Sequence, residues 1–250
     1  MNINLKKEIP EIKFPTNKIS VAYPVDENIM YLDDYFMCVS KYYHWSEDKG
    51  KPIAGSSRSI AARKTVVDML LRAQTLLPTG YKFKIFDAYR PIIVQQELWG
   101  YYYAKEKEKN PDADKKELDR LTAFWVSKLS YNILEPSLHN TGGAVDLTII
   151  DENGKELNMG CDFDDFSDRA WTNHFEKYED NKVVRNNRRI LYNVMTAVGF
   201  TNLPSEWWHY DYGDDKCAQF NHTAPLYSGI LDANLRNSVS YDTGNQQKAV

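Results

Sequence analysis

Cysteine, positive charge and long apolar runs are all scarce in this 250-residue chain. Its three cysteines, Cys38, Cys161 and Cys217, are odd in number and form no CxxC pair. That excludes a disulfide framework and a thiolate metal site, and leaves them as small core or surface residues. Lys and Arg total 31 against 35 Asp and Glu, so the basic surplus that drives binding to phosphate backbones is missing and nucleic acid is not an expected partner. Apolar stretches such as residues 66–71, which Asp68 interrupts, fall far short of the roughly 20 residues that cross a bilayer. No membrane partner is expected. The first lysines have no apolar stretch behind them, so no secretory signal is read there and a cytoplasmic location is the expectation.

Aromatic residues are plentiful: 10 Phe, 6 Trp and 17 Tyr. Tyr and Trp bury large rings yet keep a polar handle, which suits a core interrupted by a polar pocket. There is no repeat and no low-complexity linker, so residues 1–250 are read as one domain, with 229–250 a loosely held polar tail.

Apolar spacing predicts a helix over residues 56–77, stopped by Pro78-Thr79-Gly80. Alternation at Tyr81, Phe83 and Ile85 predicts a strand running into Asp87-Ala88-Tyr89-Arg90-Pro91, so that a strand ends by presenting an arginine. Residues 92–131 read as mainly helical with a break near Asn110-Pro111. A second strand is expected at 144–150, turning at Asn153-Gly154. A further helix around Ile190–Val198 stops at Gly199, and a short aromatic strand follows near residues 207–212. Helices and hairpins mixed without regular alternation predict an α+β fold: a central antiparallel sheet with flanking helices.

Two of the five histidines have unusual neighbours. His139 and Asp146 are separated by Gly142-Gly143. Strand parity alone would put them on opposite faces, so a shared site requires the chain to turn at the glycines. Asp146 lies in an otherwise apolar strand and needs a partner there. His209 lies in Glu206-Trp207-Trp208-His209-Tyr210. Two histidines and an aspartate with one open position form the donor set of a catalytic zinc, with Glu206 as the base. Ideal alternation separates Glu206 from His209, which predicts that Glu206 precedes the regular strand or that a bulge intervenes. On spacing alone, a metal site on the sheet and a pair of satisfied core histidines both fit. His44, His174 and His222 read as surface or packing residues.

Ser137-x-His139-x-x-Gly142-x-Ala144-Val145-Asp146 together with Glu206-Trp207-Trp208-His209 resembles the zinc D-Ala-D-Ala dipeptidases, the group that includes the vancomycin-resistance dipeptidases. Phe86-Asp87-Ala88-Tyr89-Arg90-Pro91 looks like that family's arginine loop, and Met159-Gly160-x-x-Phe163-Asp164-x-Phe166 like the segment closing over the substrate amine. The resemblance implies one Zn2+ per chain on His139, Asp146 and His209, Glu206 as general acid and base, and Arg90 as the oxyanion's cation. It further implies that Asp164 binds the substrate ammonium, with Ser137 and, by a looser match, Tyr23 also in the substrate site. The implied reaction is hydrolysis of a small dipeptide substrate, D-alanyl-D-alanine, to free D-alanine. The rival readings are a zinc D,D- or L,D-carboxypeptidase or endolysin-like peptidase on peptidoglycan stems, and a non-catalytic zinc-stabilised binding module. Asn140-Thr141 replaces the Ser-Arg often found in the family, which alters the site rim and leaves the ligands intact.

Overall fold

The computed structural model describes residues 3–17, 23–45, 52–178 and 181–231. Its strands are β1 (Ile29–Tyr31), β2 (Met37–Cys38), β3 (Ala61–Arg63), β4 (Lys82–Asp87), β5 (Ala144–Ile150), β6 (Thr201–Asn202) and β7 (His209–Asp211). The α-helices are α1 (Lys64–Gln74), α2 (Ile92–Lys109), α3 (Lys115–Thr122), α4 (Lys182–Ala197) and α5 (Asp215–Asn221). One sheet has the order β2-β4-β5-β7-β6, and β1 pairs with β3 in a separate ribbon. All pairs are antiparallel except β2 with β4. This is the α+β arrangement expected, with one parallel edge added.

The sheet works by period-two alternation. Val145, Leu147 and Ile149 of β5, Phe83 and Ile85 of β4 and Tyr210 of β7 enter one core with Val66, Val67 and Leu70 of α1 and Leu191, Val194 and Met195 of α4. Each such side chain contributes about 1.5–3 kcal/mol on burial. The alternate positions, Asp146 on β5 and His209 and Asp211 on β7, therefore share the face turned away from these helices. Asp146 and His209 are register partners. A register shift between Ile85 and Asp87 then brings Asp87 opposite Asp146 as well. Carboxylates and an imidazole thus converge at one end of three central strands.

The helix expected at 56–77 is confined to α1, because residues 61–63 are drawn into pairing with β1. Ser56 instead closes a turn, its hydroxyl donating to the Ile53 carbonyl at 2.6 Å. The helical region 92–131 resolves into α2 and α3, which pack together, and ends at Thr122. Strand β5 has the expected bounds, and Gly154 takes the left-handed turn conformation (φ 78°). The aromatic strand is only three residues long. At the start of the segment read as a tail, Gly229 and Ile230 donate backbone hydrogen bonds to Ile133 and Asn140, and Ile230 is buried. Residues 232–250 lie outside the described residues. Among the described residues, no helix is long and apolar enough to cross a membrane.

Candidate active site

His139 sits on the single turn Leu138–Thr141, which ends at Gly142 in the left-handed region (φ 72°). Gly143 follows because a Cβ there would lie 2.3 Å from the Tyr212 carbonyl oxygen. These glycines make the turn that brings His139 back over Asp146. The His139 Nδ1 lies 2.8 Å from the Ala88 carbonyl, so Nδ1–H donates to it and Nε2 is the nitrogen left to face Asp146 Oδ2 at 3.4 Å. On the other side of Asp146, Oδ1 lies 2.9 Å from His209 Nδ1, while His209 Nε2 points away to Asp211 Oδ1 at 2.7 Å. All three side chains are buried, and their nearest ligand atoms lie within 4.8 Å of one another.

This donor set fits a metal ion. Nitrogen and oxygen ligands about 2.0–2.1 Å from a tetrahedral ion stand roughly 3.3 Å apart, close to the 2.9 and 3.4 Å that separate Asp146 from His209 and His139. Burial, with help from Arg90 and His209, holds the His139 pKa well below the usual imidazole value, so this ring is neutral, as a ligand must be. For His209, burial opposes charge, but Asp211 and Asp146 outweigh it and push the pKa well up. The surroundings of His209 therefore attract positive charge, which a divalent cation supplies.

Glu206 precedes β7, as the parity argument requires, and its Oε2 lies 3.9 Å from His209 Nδ1. Burial raises its pKa, the nearby His209 lowers it and Asp146 raises it again, leaving it pushed up to about 7. A carboxyl poised there can exchange a proton near neutral pH.

Arg90 closes the site from the β4–α2 loop. Its Nε and NH2 both reach Asp87 Oδ2, at 2.9 and 2.8 Å, NH2 donates to the Tyr42 hydroxyl and NH1 to Gln95 Oε1, each at 2.9 Å. A guanidinium has five N–H groups. One NH1 hydrogen is therefore left without an acceptor among the described residues. Burial opposes the charge, but Tyr42, Asp87 and Asp146 hold the group firmly protonated. Burial in turn lifts Asp87 to about 7 against the pull of Arg90.

Asp164 carries its side chain into the same cavity from a left-handed backbone (φ 59°), a conformation that aspartate adopts more readily than most residues. Burial, then the charges of Asp146 and Glu206, drive its pKa well up, so a cationic partner is what this carboxyl lacks. Neighbouring rings pin the loop: Phe163 contacts Phe86 and Trp208 at 5.1 and 5.3 Å, and Phe166 contacts Trp125 at 5.1 Å. The cavity encloses about 750 Å3 including its mouth, and Ser137, Arg90, Asp164, Glu206 and the three ligand candidates all line it.

Tyr23 does not line this cavity. Its hydroxyl donates to the Leu134 carbonyl at 2.5 Å and lies 3.4 Å from Asp215, and this pairing holds it away from the place the resemblance implied. The sequence reading also passed over Tyr42, Gln95 and Asp211. Gln95 had a legible signal, since it stands between Ile92 and Leu98 on the buried face of α2. Tyr42 had none, because only the fold brings it to Arg90.

Two histidines and one carboxylate that could hold a metal ion, with a second carboxylate and an arginine beside them, are the arrangement expected of a metallopeptidase site. The peptidase M15 family model, D-ala-D-ala dipeptidase, matches residues 28–226, and the chain belongs to this family. The D-alanyl-D-alanine dipeptidase of Synechocystis sp. is 30% identical over 168 residues, covering 60% of this chain and 68% of that protein. The Enterococcus faecalis enzyme of the same name is 29% identical over 197 residues, 76% of this chain and 94% of its own. The Escherichia coli one is 28% identical over 162 residues, 65% and 71% respectively. A solved structure of VanYB in complex with D-alanine-D-alanine covers 68% of this chain and 82% of its own at 16% identity and a TM-score of 0.38, a likeness too loose to argue from.

Proposed function

We propose that this chain is a zinc dipeptidase that hydrolyses D-alanyl-D-alanine to two molecules of D-alanine. The observation that carries the reading is the convergence of His139, Asp146, His209, Glu206, Arg90 and Asp164 on one cavity. His139, Asp146 and His209 would hold the zinc, which when bound polarises a carbonyl and makes water acidic near neutral pH. Glu206 takes the proton of the attacking water and passes it to the departing amine. Arg90, braced by Asp87, Gln95 and Tyr42, offers its remaining NH1 hydrogen to the oxyanion that forms at the scissile carbon. Asp164 receives the substrate's free ammonium, and that pairing favours its charged form. Ser137 adds a hydroxyl at the cavity wall.

Metal removal tests the reading. Dialysis against a strong chelator should abolish D-alanine release from D-alanyl-D-alanine, and one equivalent of Zn2+ should restore it. Undiminished release from metal-free protein would defeat the assignment.

A further inference from the structure

The two candidate histidine ligands are supported from behind in different ways. His139 hands its outer N–H to the Ala88 carbonyl at 2.8 Å, and the nearest carboxylate on that side, Asp87 Oδ2, stands further off at 3.4 Å. His209 faces a full carboxylate, with Asp211 Oδ1 2.7 Å from Nε2. Asp211 is completely buried, and it does not line the cavity that the ligand candidates and Glu206 share. It therefore stands behind His209 and cannot touch a molecule held in that cavity. Strand period puts it there: Asp211 is two residues beyond His209 on β7, so both side chains leave the sheet on one face while Tyr210 enters the core.

The Asp211 carboxyl is committed to His209 through Oδ1. Its Oδ2 finds no ordinary donor among the described residues, and the same is true of Asp214 Oδ2. Asp214 Oδ1 accepts from the Cys217 backbone N–H at 2.8 Å as the N-cap of α5. Asp214 is also completely buried. The only other described partners of the His209 ring nitrogens are Asp146 and Glu206, both on the Nδ1 side.

Resting on the metallopeptidase reading above, we propose that Asp211 is a positioning residue that fixes the tautomer and orientation of His209. By accepting the Nε2 hydrogen, Asp211 leaves the Nδ1 lone pair turned toward Asp146 and the ion. A carboxylate behind a metal-bound imidazole also makes that imidazole a stronger donor, and removing such a partner typically costs 10–100-fold in metal affinity. Asp211 thus strengthens metal retention through His209 without meeting the substrate.

The test is the zinc affinity of the full chain, measured by competition with a chromophoric chelator, for the wild type, Asp211→Ala and Asp211→Asn. Asp211→Ala is expected to bind about 10–100-fold more weakly. Asp211→Asn should lose less, because its amide oxygen still accepts from Nε2–H. Thermal unfolding of the metal-free variants checks that both fold. Long-range 1H–15N correlation spectra of the zinc-loaded wild type supply a readout independent of any variant, with His209 expected protonated at Nε2 and not at Nδ1. Wild-type affinity in a folded Asp211→Ala, or an unprotonated Nε2 in the wild type, overturns the inference. A wild-type chain that binds no zinc at all refutes the underlying function instead, so the two failures are distinguishable.

Discussion

Arg90 and Glu206 work through what surrounds them. Glu206 sits where burial and Asp146 raise its pKa and His209 lowers it, so its carboxyl can both take and return a proton near neutral pH. Glu206→Gln keeps the shape and loses the base. Its kcat is expected to fall about 10²–10⁴-fold with zinc content unchanged by elemental analysis, and full turnover in the zinc-loaded variant would remove Glu206 from its role. Arg90 is a different case, since most of its donors are spent on Asp87, Gln95 and Tyr42. Those bonds fix the plane of the guanidinium, which a lysine, a point charge on a flexible stem, cannot reproduce. Arg90→Lys should therefore lower kcat about 10²–10³-fold, the effect of losing one aligned oxyanion donor, while steady-state kinetics show a smaller change in KM. The site residues that carry unusual local patterns, His139 before its glycines and Asp146 in an apolar strand, were legible in the sequence. Tyr42 and Asp211 were not, because a tyrosine behind an arginine and an aspartate behind a histidine become meaningful only once strands and loops are placed side by side.

At the scale of elements, the loop that carries Asp164 depends on a residue of α4. Arg188 is buried and donates from Nε to the Met159 carbonyl at 2.7 Å, from NH1 to that of Trp171 at 2.6 Å and from NH2 to that of Arg169 at 2.7 Å. Its guanidinium also lies 4.9 Å from the centre of the Phe175 ring. Both ends of the segment between Met159 and Trp171 are therefore tied to one side chain. Arg188→Met keeps the packing volume and leaves three carbonyls without this donor. The cost is expected to be on the order of 3 kcal/mol, which lowers Tm by about 6–12 °C in a chain of this size. In the variant that remains folded at assay temperature, KM should rise more than kcat falls, because the loop carries Asp164, proposed above to receive the substrate ammonium, and not Glu206. An unchanged Tm by calorimetry would contradict the clamp. Element boundaries also mark the limit of periodicity as a guide. Residues 56–63 carry helix-like apolar spacing, yet 61–63 pair with β1, a tertiary preference that no local window records.

Across the whole molecule, the aromatic surplus now has a place. Tyr42, Tyr102, Phe124, Trp125 and Phe166 wall the cavity that holds the ionisable groups. Rings of this kind exclude water while their polar tips brace Arg90 and the loops, and exclusion of water strengthens each charge interaction inside. The near-balance of acidic and basic residues fits a small zwitterionic dipeptide, whose ammonium calls for one buried carboxylate rather than a charged surface. Asp164 is then the feature that separates a dipeptidase from a peptidase of longer chains, since it calls for a free amine. The most direct measurement is kcat/KM for D-alanyl-D-alanine beside N-acetyl-D-alanyl-D-alanine on the zinc-loaded protein, read as D-alanine released. The free dipeptide should be hydrolysed at least about 100-fold more efficiently, the equivalent of roughly 2.7 kcal/mol of lost ammonium–carboxylate pairing; equal efficiencies, or no D-alanine from either substrate, would contradict the account.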